Sequence, residues 1–570
     1  MKLSRIVTSM VLLPSLGAAA EPLTPAAPPP DPPFNRVSTY EEVTGYLEGY
    51  AAAYPDWVEL ESIGKSIEGR DMWLLTLNNP ATGPDLAKPA MYVDGNIHAN
   101  EVQGTEAVIY TIDFLLESYG RLDRVSELLD RAAFYFVPMV NPDGRARWFA
   151  GPSTAHFPRT VMVPVDDDRD GLRDEDGYDD LDGDGVITLM RKEVPLGEGG
   201  FRLHPKDPRI LVEVEADELG DYVILGPEGH DNDGDGRVNE DAIGYVDPNR
   251  TWGYDWQPEY VQNGAGLYPL AIPETRSIAL WALGKPNVAA AQSFHNSGKM
   301  ILRGPGAKSH PRYPRVDLRA YDLIGEEGVR VLPGYRYLVS WRDLYTTYGA
   351  TDDHFYRVHG AITFTNELYE APTDLDGDGE TSDEERMKFN DVLTLGRQFV
   401  PWKELDHPQY GKIEVGGFRQ DVGRIPEGWM LEEETHRNAA FVLFHAHHLP
   451  KLAFGEAKVK AVGEGLWRLE ITVVNERAIP SVTEWARQAK VHRVDVATVE
   501  GARVVASGLV DDGWLDRVEL QDHRPERLMV PGVDGVASRT LFFLLEGKGE
   551  VTVRYDSLKG GKLARKVTLR

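Results

Sequence analysis

Four residues of this 570-residue chain combine types and positions that can carry out hydrolysis. His98 and Glu101 form an HxxE pair between an apolar run ending near Asp94 and a helical stretch that Glu101 opens. Both side chains can therefore converge on one metal ion at the C-terminal end of a strand. A catalytic zinc takes three protein ligands and keeps one position open for water. His295, directly after the apolar run 288–294, is the candidate third ligand, at the place where open α/β sheets build their sites. Glu367 follows the run 361–365 in the same way. A second HxxE, His523 and Glu526, lies in a polar stretch without the strand-to-helix context and is set aside. Cysteine is absent, which excludes disulfides and thiolate nucleophiles and leaves His and carboxylates to hold any transition metal.

The elements that must position these residues follow from periodicity. Short apolar runs at 90–94, 134–140, 288–294 and 361–365 alternate with helical stretches such as 101–119. That alternation predicts an α/β domain over residues 34–449, with a mixed, mostly parallel central sheet and helices on both faces. Residues 429–447 carry apolar side chains at helical spacing, stop just before Pro450 and close this domain. From 450 to 570 the period changes to two, in runs at 466–474, 490–496, 541–545 and 550–554, which predicts a C-terminal all-β sandwich. More than one domain is expected at this length, since single cores stop growing near about 250–300 residues.

At the N-terminus, Lys2 and Arg5 precede an apolar stretch at 6–16, and Ala18, Ala19 and Ala20 offer a cleavage site. Residues 1–20 read as a signal peptide, so an exported protein, periplasmic or secreted, is expected. The apolar stretch is too short to span a bilayer and there is no cysteine for a lipid, so no membrane anchor is expected. Residues 21–33 form a proline-rich linker. A formal net charge of −30 speaks against nucleic acid as a partner, because phosphate backbones repel such a surface.

Over residues 40–449 the chain resembles zinc carboxypeptidases of the A/B type. The matching strings are Ile97-His98-Ala99-Asn100-Glu101, Asn141-Pro142-Asp143-Gly144, Val246-Asp247-Pro248-Asn249-Arg250-Thr251-Trp252, Ser293-Phe294-His295 and Phe364-Thr365-Asn366-Glu367-Leu368. The resemblance implies one catalytic zinc held by His98, Glu101 and His295, with Glu367 as general base. It implies that Asn249 and Arg250 grip the terminal carboxylate of a peptide substrate and that Tyr345 closes over the bound peptide. By local similarity, Arg191 is expected to polarise the scissile carbonyl. Gap-free counting back from Glu367 puts Asp352 at the floor of the pocket for the departing side chain, where a carboxylate favours Lys or Arg. The function implied is a metallocarboxypeptidase acting on peptides with a free C-terminus.

Three acidic loops point to calcium. Asp374, Asp376, Asp378, Glu380, Ser382 and Glu385 occupy the ligand positions of a twelve-position loop with Gly379 at the sixth. Asp180, Asp182 and Asp184 repeat the acidic start, as do Asp231, Asp233 and Asp235, without Glu at the twelfth position; Asp166, Asp168 and Asp170 are a further candidate. These loops are expected to be insertions at about 166–188, 231–242 and 374–385, fixing the walls of the site through structural Ca2+. The group His445, His447 and His448 reads as a helix C-terminus favoured by its dipole. Two other functions remain open: an amidase or carboxypeptidase of cell-wall peptides, and an exported calcium-dependent binding protein on a dead peptidase scaffold.

Overall fold

The computed structural model describes residues 20–152, 159–166, 169–241, 243–419, 424–512, 515 and 517–570. All but the last residue of the expected signal peptide, as well as Asp168, lie outside them. An eight-stranded mixed sheet forms the centre, in the order Val58–Lys65, Asp71–Leu77, Ala133–Val137, Ala90–Gly95, Val288–Asn296, Ile362–Leu368, Met300–Arg303 and Arg336–Val339. The four central strands from Ala133–Val137 to Ile362–Leu368 are parallel, and antiparallel pairing returns at the Asp71–Leu77 and Met300–Arg303 joins.

Side-chain alternation along these strands feeds two cores. Met91, Val93, Phe134 and Phe136 face the helices Gln103–Ser118 and Gly428–His447, through Ile109, Ile112, Phe441 and Val442. Tyr92, Tyr135 and Val137 face the opposite layer, with Ile278, Ala282 and Phe355. A strand buried on both faces has no polar alternation to display, which is why these strands are continuous apolar runs in the sequence. The proline-rich segment lies against the domain: Ala26 N donates to Ala53 O at 2.7 Å, and a Cβ on Gly49 would stand 3.3 Å from the Pro30 ring.

The acidic insertion contains more than loops. Strands Leu189–Glu193, Phe201–Leu203, Leu211–Glu213 and Tyr222–Pro227 join the hairpin Phe399–His407 and Gly411–Phe418 in a six-stranded antiparallel sheet. Its cores are small, one around Met190, Ile413 and Val415 and another around Ile210, Met387 and Phe399.

The C-terminal region forms a five-stranded and a four-stranded antiparallel sheet that enclose a core containing Leu469, Ile471, Phe543, Val553 and Tyr555. Expected strand 490–496 is shifted: Lys490 is the left-handed cap of the helix Glu484–Ala489, and the strand runs Asp495–Glu500.

Candidate active site

The loop between the strand Ala90–Gly95 and the helix Gln103–Ser118 carries His98 and Glu101, and a buried network beneath it sets its shape. Asn96 adopts a left-handed conformation (φ 57), and its amide donates to the carbonyls of His98 at 2.9 Å and Ala99 at 3.0 Å. Fully buried Arg145 donates to Asn96 Oδ1 at 3.2 Å on one side of the loop and to Val102 O at 2.9 Å on the other, and pairs with Glu106 at 2.8 Å. A buried pair of this kind adds little net stability after desolvation, but it specifies one geometry. A Cβ on Gly95 would stand 2.7 Å from the Gly104 carbonyl carbon, so glycine lets the loop fold back tightly on the helix start.

His98 Nδ1 and His295 Nδ1 each lie 3.0 Å from a different oxygen of Glu101 and 3.2 Å from one another. All three residues are at most 3% exposed. Two imidazole nitrogens and a carboxylate make a compact donor set that suits zinc and leaves a position open. The far side of His98 is also engaged, because Nε2 meets Asp247 Oδ1 at 3.0 Å. Such a carboxylate fixes the tautomer and ring orientation of a metal-binding histidine. Burial pushes the Glu101 carboxyl up, yet the two histidines outweigh it and hold it well below the usual range. Asp247 is likewise depressed, with His98 and then Arg250 overcoming burial.

Glu367 is the register partner of His295 on the neighbouring parallel strand. Burial, and next the Glu101 carboxylate, raise it to about 7. A carboxyl poised there can both accept and return a proton near neutrality.

The structure does not bring Arg191 to this group. Arg191 belongs to the six-stranded sheet, where its Nε donates to Glu414 at 2.8 Å and its guanidinium stacks on Trp402 at 3.9 Å. Local similarity drew it into the wrong element, because its flanking residues serve a strand of the insertion. Arg159 stands at the site instead, 2.9 Å from Glu101 Oε1 and 3.1 Å from His98 Nε2. Arg424 approaches from after the insertion hairpin, donating to Asn296 O at 2.7 Å with Glu101 at 3.7 Å. No spacing marks either arginine in the sequence. Asp247 sits inside a motif string, where its role could have been read from its position two residues before Asn249.

Asn249 lies beside the cluster, with Nδ2 at 3.5 Å from His295 Nε2 and Oδ1 accepting from Thr351 N and Oγ1 at 2.9 Å each. Arg250 is buried, its guanidinium donating to Asn249 O at 2.8 Å. Tyr345 is half exposed and contributes to the electrostatic surroundings of Arg159. Asp352 opens the helix Thr351–His359 next to Asp353, and the two differ sharply. Asp353 is saturated by Gly306 N, His310, Tyr313 and Arg357. Asp352 accepts from Ser340 Oγ at 3.3 Å and from the Asp353 amide at 2.8 Å, and burial followed by the Asp353 charge raises it to about 6.

The three acidic loops share one geometry. Asp180, Asp231 and Asp374 each accept from the amides three and five residues on, at 2.5–3.1 Å, so each loop turns its carboxylates inward. Asp182, Asp233 and Asp376 accept from Asp184, Asp235 and Asp378 in turn. In the last loop Glu380 N donates to Asp378, and Ser382 caps the helix Asp383–Val392 with Glu385, whose carboxylate reaches back to Leu375 N at 2.8 Å. Glu228 joins Asp180 and Asp182 in a group of carboxylates close enough to hold an ion, a partner that loop spacing does not reveal.

A family model described as zinc carboxypeptidase matches residues 43–156 and 228–376, which include His98, Glu101, Asn249, Arg250, His295, Tyr345, Asp352 and Glu367. Residues 451–568 match a model described as Domain of unknown function (DUF8731). Carboxypeptidase D of Drosophila melanogaster is 31% identical over 135 residues, 22% of this chain and 9% of that protein. Carboxypeptidase B of Astacus astacus is 36% identical over 110 residues, 19% of this chain and 34% of that protein. The chain thus spans between about a tenth and a third of the length of these two relatives. A solved carboxypeptidase A from Helicoverpa armigera is 19% identical, covering 73% of this chain and 74% of that one with a TM-score of 0.43. The two stretches that carry His98, Glu101 and His295 thus match the zinc carboxypeptidase family.

Proposed function

We propose that this protein is a zinc metallocarboxypeptidase that removes single residues from the free C-terminal ends of peptides. The observation that carries the reading is the buried convergence of His98, Glu101 and His295, with Glu367 in register beside His295. His98, Glu101 and His295 would hold a zinc ion, which would lower the pKa of a bound water toward about 7 and polarise the scissile carbonyl. Glu367, already raised to about 7, takes the water's proton and returns it to the departing amine. Arg159 is the always-charged donor nearest the triad and stabilises negative charge developing on the carbonyl oxygen. Asn249 and Arg250 hold the terminal carboxylate, and Tyr345 closes over the peptide. Asp352, the less satisfied of two adjacent carboxylates, selects a basic departing side chain.

Two further parts of the reading concern the surroundings. The Asp180, Asp231 and Asp374 loops are structural calcium sites, supported by their common inward-turned geometry. Export, to the periplasm or beyond, rests on residues 1–20. No helix among the described residues is long and apolar enough to cross a membrane.

The test is cleavage of a peptide library with free and amidated C-termini, including cell-wall peptides with cationic ends. Shortening by one residue only at free ends, lost with a zinc-selective chelator and restored by zinc, supports the reading. Equal cleavage of amidated ends would replace it with an amidase. No hydrolysis of any peptide would replace it with a binding protein.

A further inference from the structure

The helix Thr351–His359 carries Asp352 in its first turn and ends against the C-terminal β region. The last carbonyls of a helix have no partner within it and must be met elsewhere. Here Gly360 closes the helix in the left-handed region (φ 64) and returns its own N–H to Tyr356 O at 2.9 Å. The outward carbonyls are then taken by the other domain. Trp485 Nε1 donates to Arg357 O at 3.0 Å, His492 Nε2 meets His359 O at 3.1 Å, and Thr483 Oγ1 donates to Gly360 O at 3.3 Å. Lys559 Nζ also donates to His359 O.

Lys559 is 4% exposed and makes no ion pair among the described residues; burial lowers its ammonium to about 7, with the Asp317 charge opposing. A buried ammonium without a counter-ion is expensive, and the negative end of a helix is a place where it is compensated. Trp485 also lies over the Arg357 guanidinium at 4.1 Å, so the second domain covers the arginine that pairs with Asp353 at 3.7 Å. Contact is close at the joint: a Cβ on Gly360 would stand 2.7 Å from Ala486 Cβ and 3.5 Å from Lys559 Nζ.

We propose that the C-terminal β domain is a positioning element of the substrate pocket, in which Lys559, aided by Trp485, His492 and Thr483, anchors the far end of the helix that presents Asp352. This rests on the reading of Asp352 as the pocket carboxylate. Because the helix is only nine residues long, a loosened C-terminal end moves its first turn as well.

The test uses the full chain, zinc-loaded, with peptides ending in Lys or Leu. Lys559→Met is expected to raise KM for Lys-ended peptides about 5- to 10-fold while kcat changes less than about twofold, so the preference for Lys over Leu shrinks. Lys559→Gln, which keeps a donor, is expected to recover most of it. Trp485→Phe keeps the ring and loses the indole donor, and is expected to shift the same ratio in the same direction should Lys559→Met not fold. If the variants melt earlier but keep the wild-type Lys-to-Leu ratio, the contact is only structural and the proposal is overturned. If wild type has no basic preference, or Asp352→Asn does not abolish one, the pocket reading has failed, and the proposal falls with it.

Discussion

Glu367 and His295 face each other in register on adjacent parallel strands, so backbone hydrogen bonds set the spacing between the proposed proton acceptor and one histidine of the proposed metal triad. The His98–Glu101 loop instead hangs from Arg145 and Asn96. Glu367→Gln is therefore expected to leave zinc content at one per chain and to lower kcat about 10²- to 10⁴-fold, the usual worth of a positioned acid–base group. His295→Ala is expected to lose the zinc itself. Metal analysis beside single-turnover rates separates the two, and full zinc occupancy in His295→Ala would reject the triad.

The two candidate arginines give opposite expectations. Arg159→Met is expected to cost about 10²- to 10³-fold in kcat, as for removal of one donor to a developing oxyanion. Arg191→Met is expected to leave kcat and KM near wild type and to lower the melting midpoint, since its bond to Glu414 and its stacking on Trp402 hold the insertion sheet together. A large kcat loss in Arg191→Met with normal melting would restore it to catalysis.

For the pocket, Asp352→Asn is expected to remove the preference for Lys or Arg ends while retaining hydrolysis of Leu ends. A buried carboxylate is satisfied by a cation and left unpaired by an apolar side chain. Comparing kcat/KM on matched peptides is sufficient. An unchanged ratio would mean that Asp352 does not contact the departing residue.

Calcium removal is expected to lower the thermal midpoint of the catalytic domain, because an ion that binds only the folded state stabilises it by mass action. The loops flank the insertion strands and lead into the helix Asp383–Val392, so unfolding should begin in that sheet. Identical melting curves with and without a calcium-selective chelator would exclude the role.

Acid sensitivity follows from three histidines. Burial lowers His354 to about 3, His359 to about 2 and His445 to about 3, from an unfolded value near 6.5. With folded values depressed, the unfolded chain takes up protons that the folded chain refuses as pH falls below about 6.5, so stability present above that pH is lost between there and about 3. The melting midpoint should decline over this window. His445→Leu, among Phe364 and Phe441, should reduce the slope by one proton; an unaltered slope would show that other groups govern acid unfolding.

The triad and its strands were legible because both signals are local. A strand buried on two faces is a continuous apolar run, and His98 and His295 sit at the ends of such runs. Arg159 was not legible because its contact with Glu101 spans 58 residues with no fixed spacing. The insertion sheet was missed for another reason: strands of three residues, such as Phe201–Leu203 and Leu211–Glu213, are too short to show a period among Asp-rich turns. The contacts of Glu228 and Lys559 are ones that only the folded chain creates.

One consequence lies in Asp247. Its Oδ1 meets His98 Nε2 at 3.0 Å and also accepts from the Asn249 amide at 2.7 Å. The proposed metal triad and the pair proposed to grip the chain end are thereby rungs of one frame. On the proposed function, that frame would set the distance between a bound peptide's terminal carboxylate and the bond to be cut. Asp247 would then work as a ruler one residue long, and loosening it should produce an enzyme that miscounts, releasing dipeptides or stalling, before it produces one that has lost its metal.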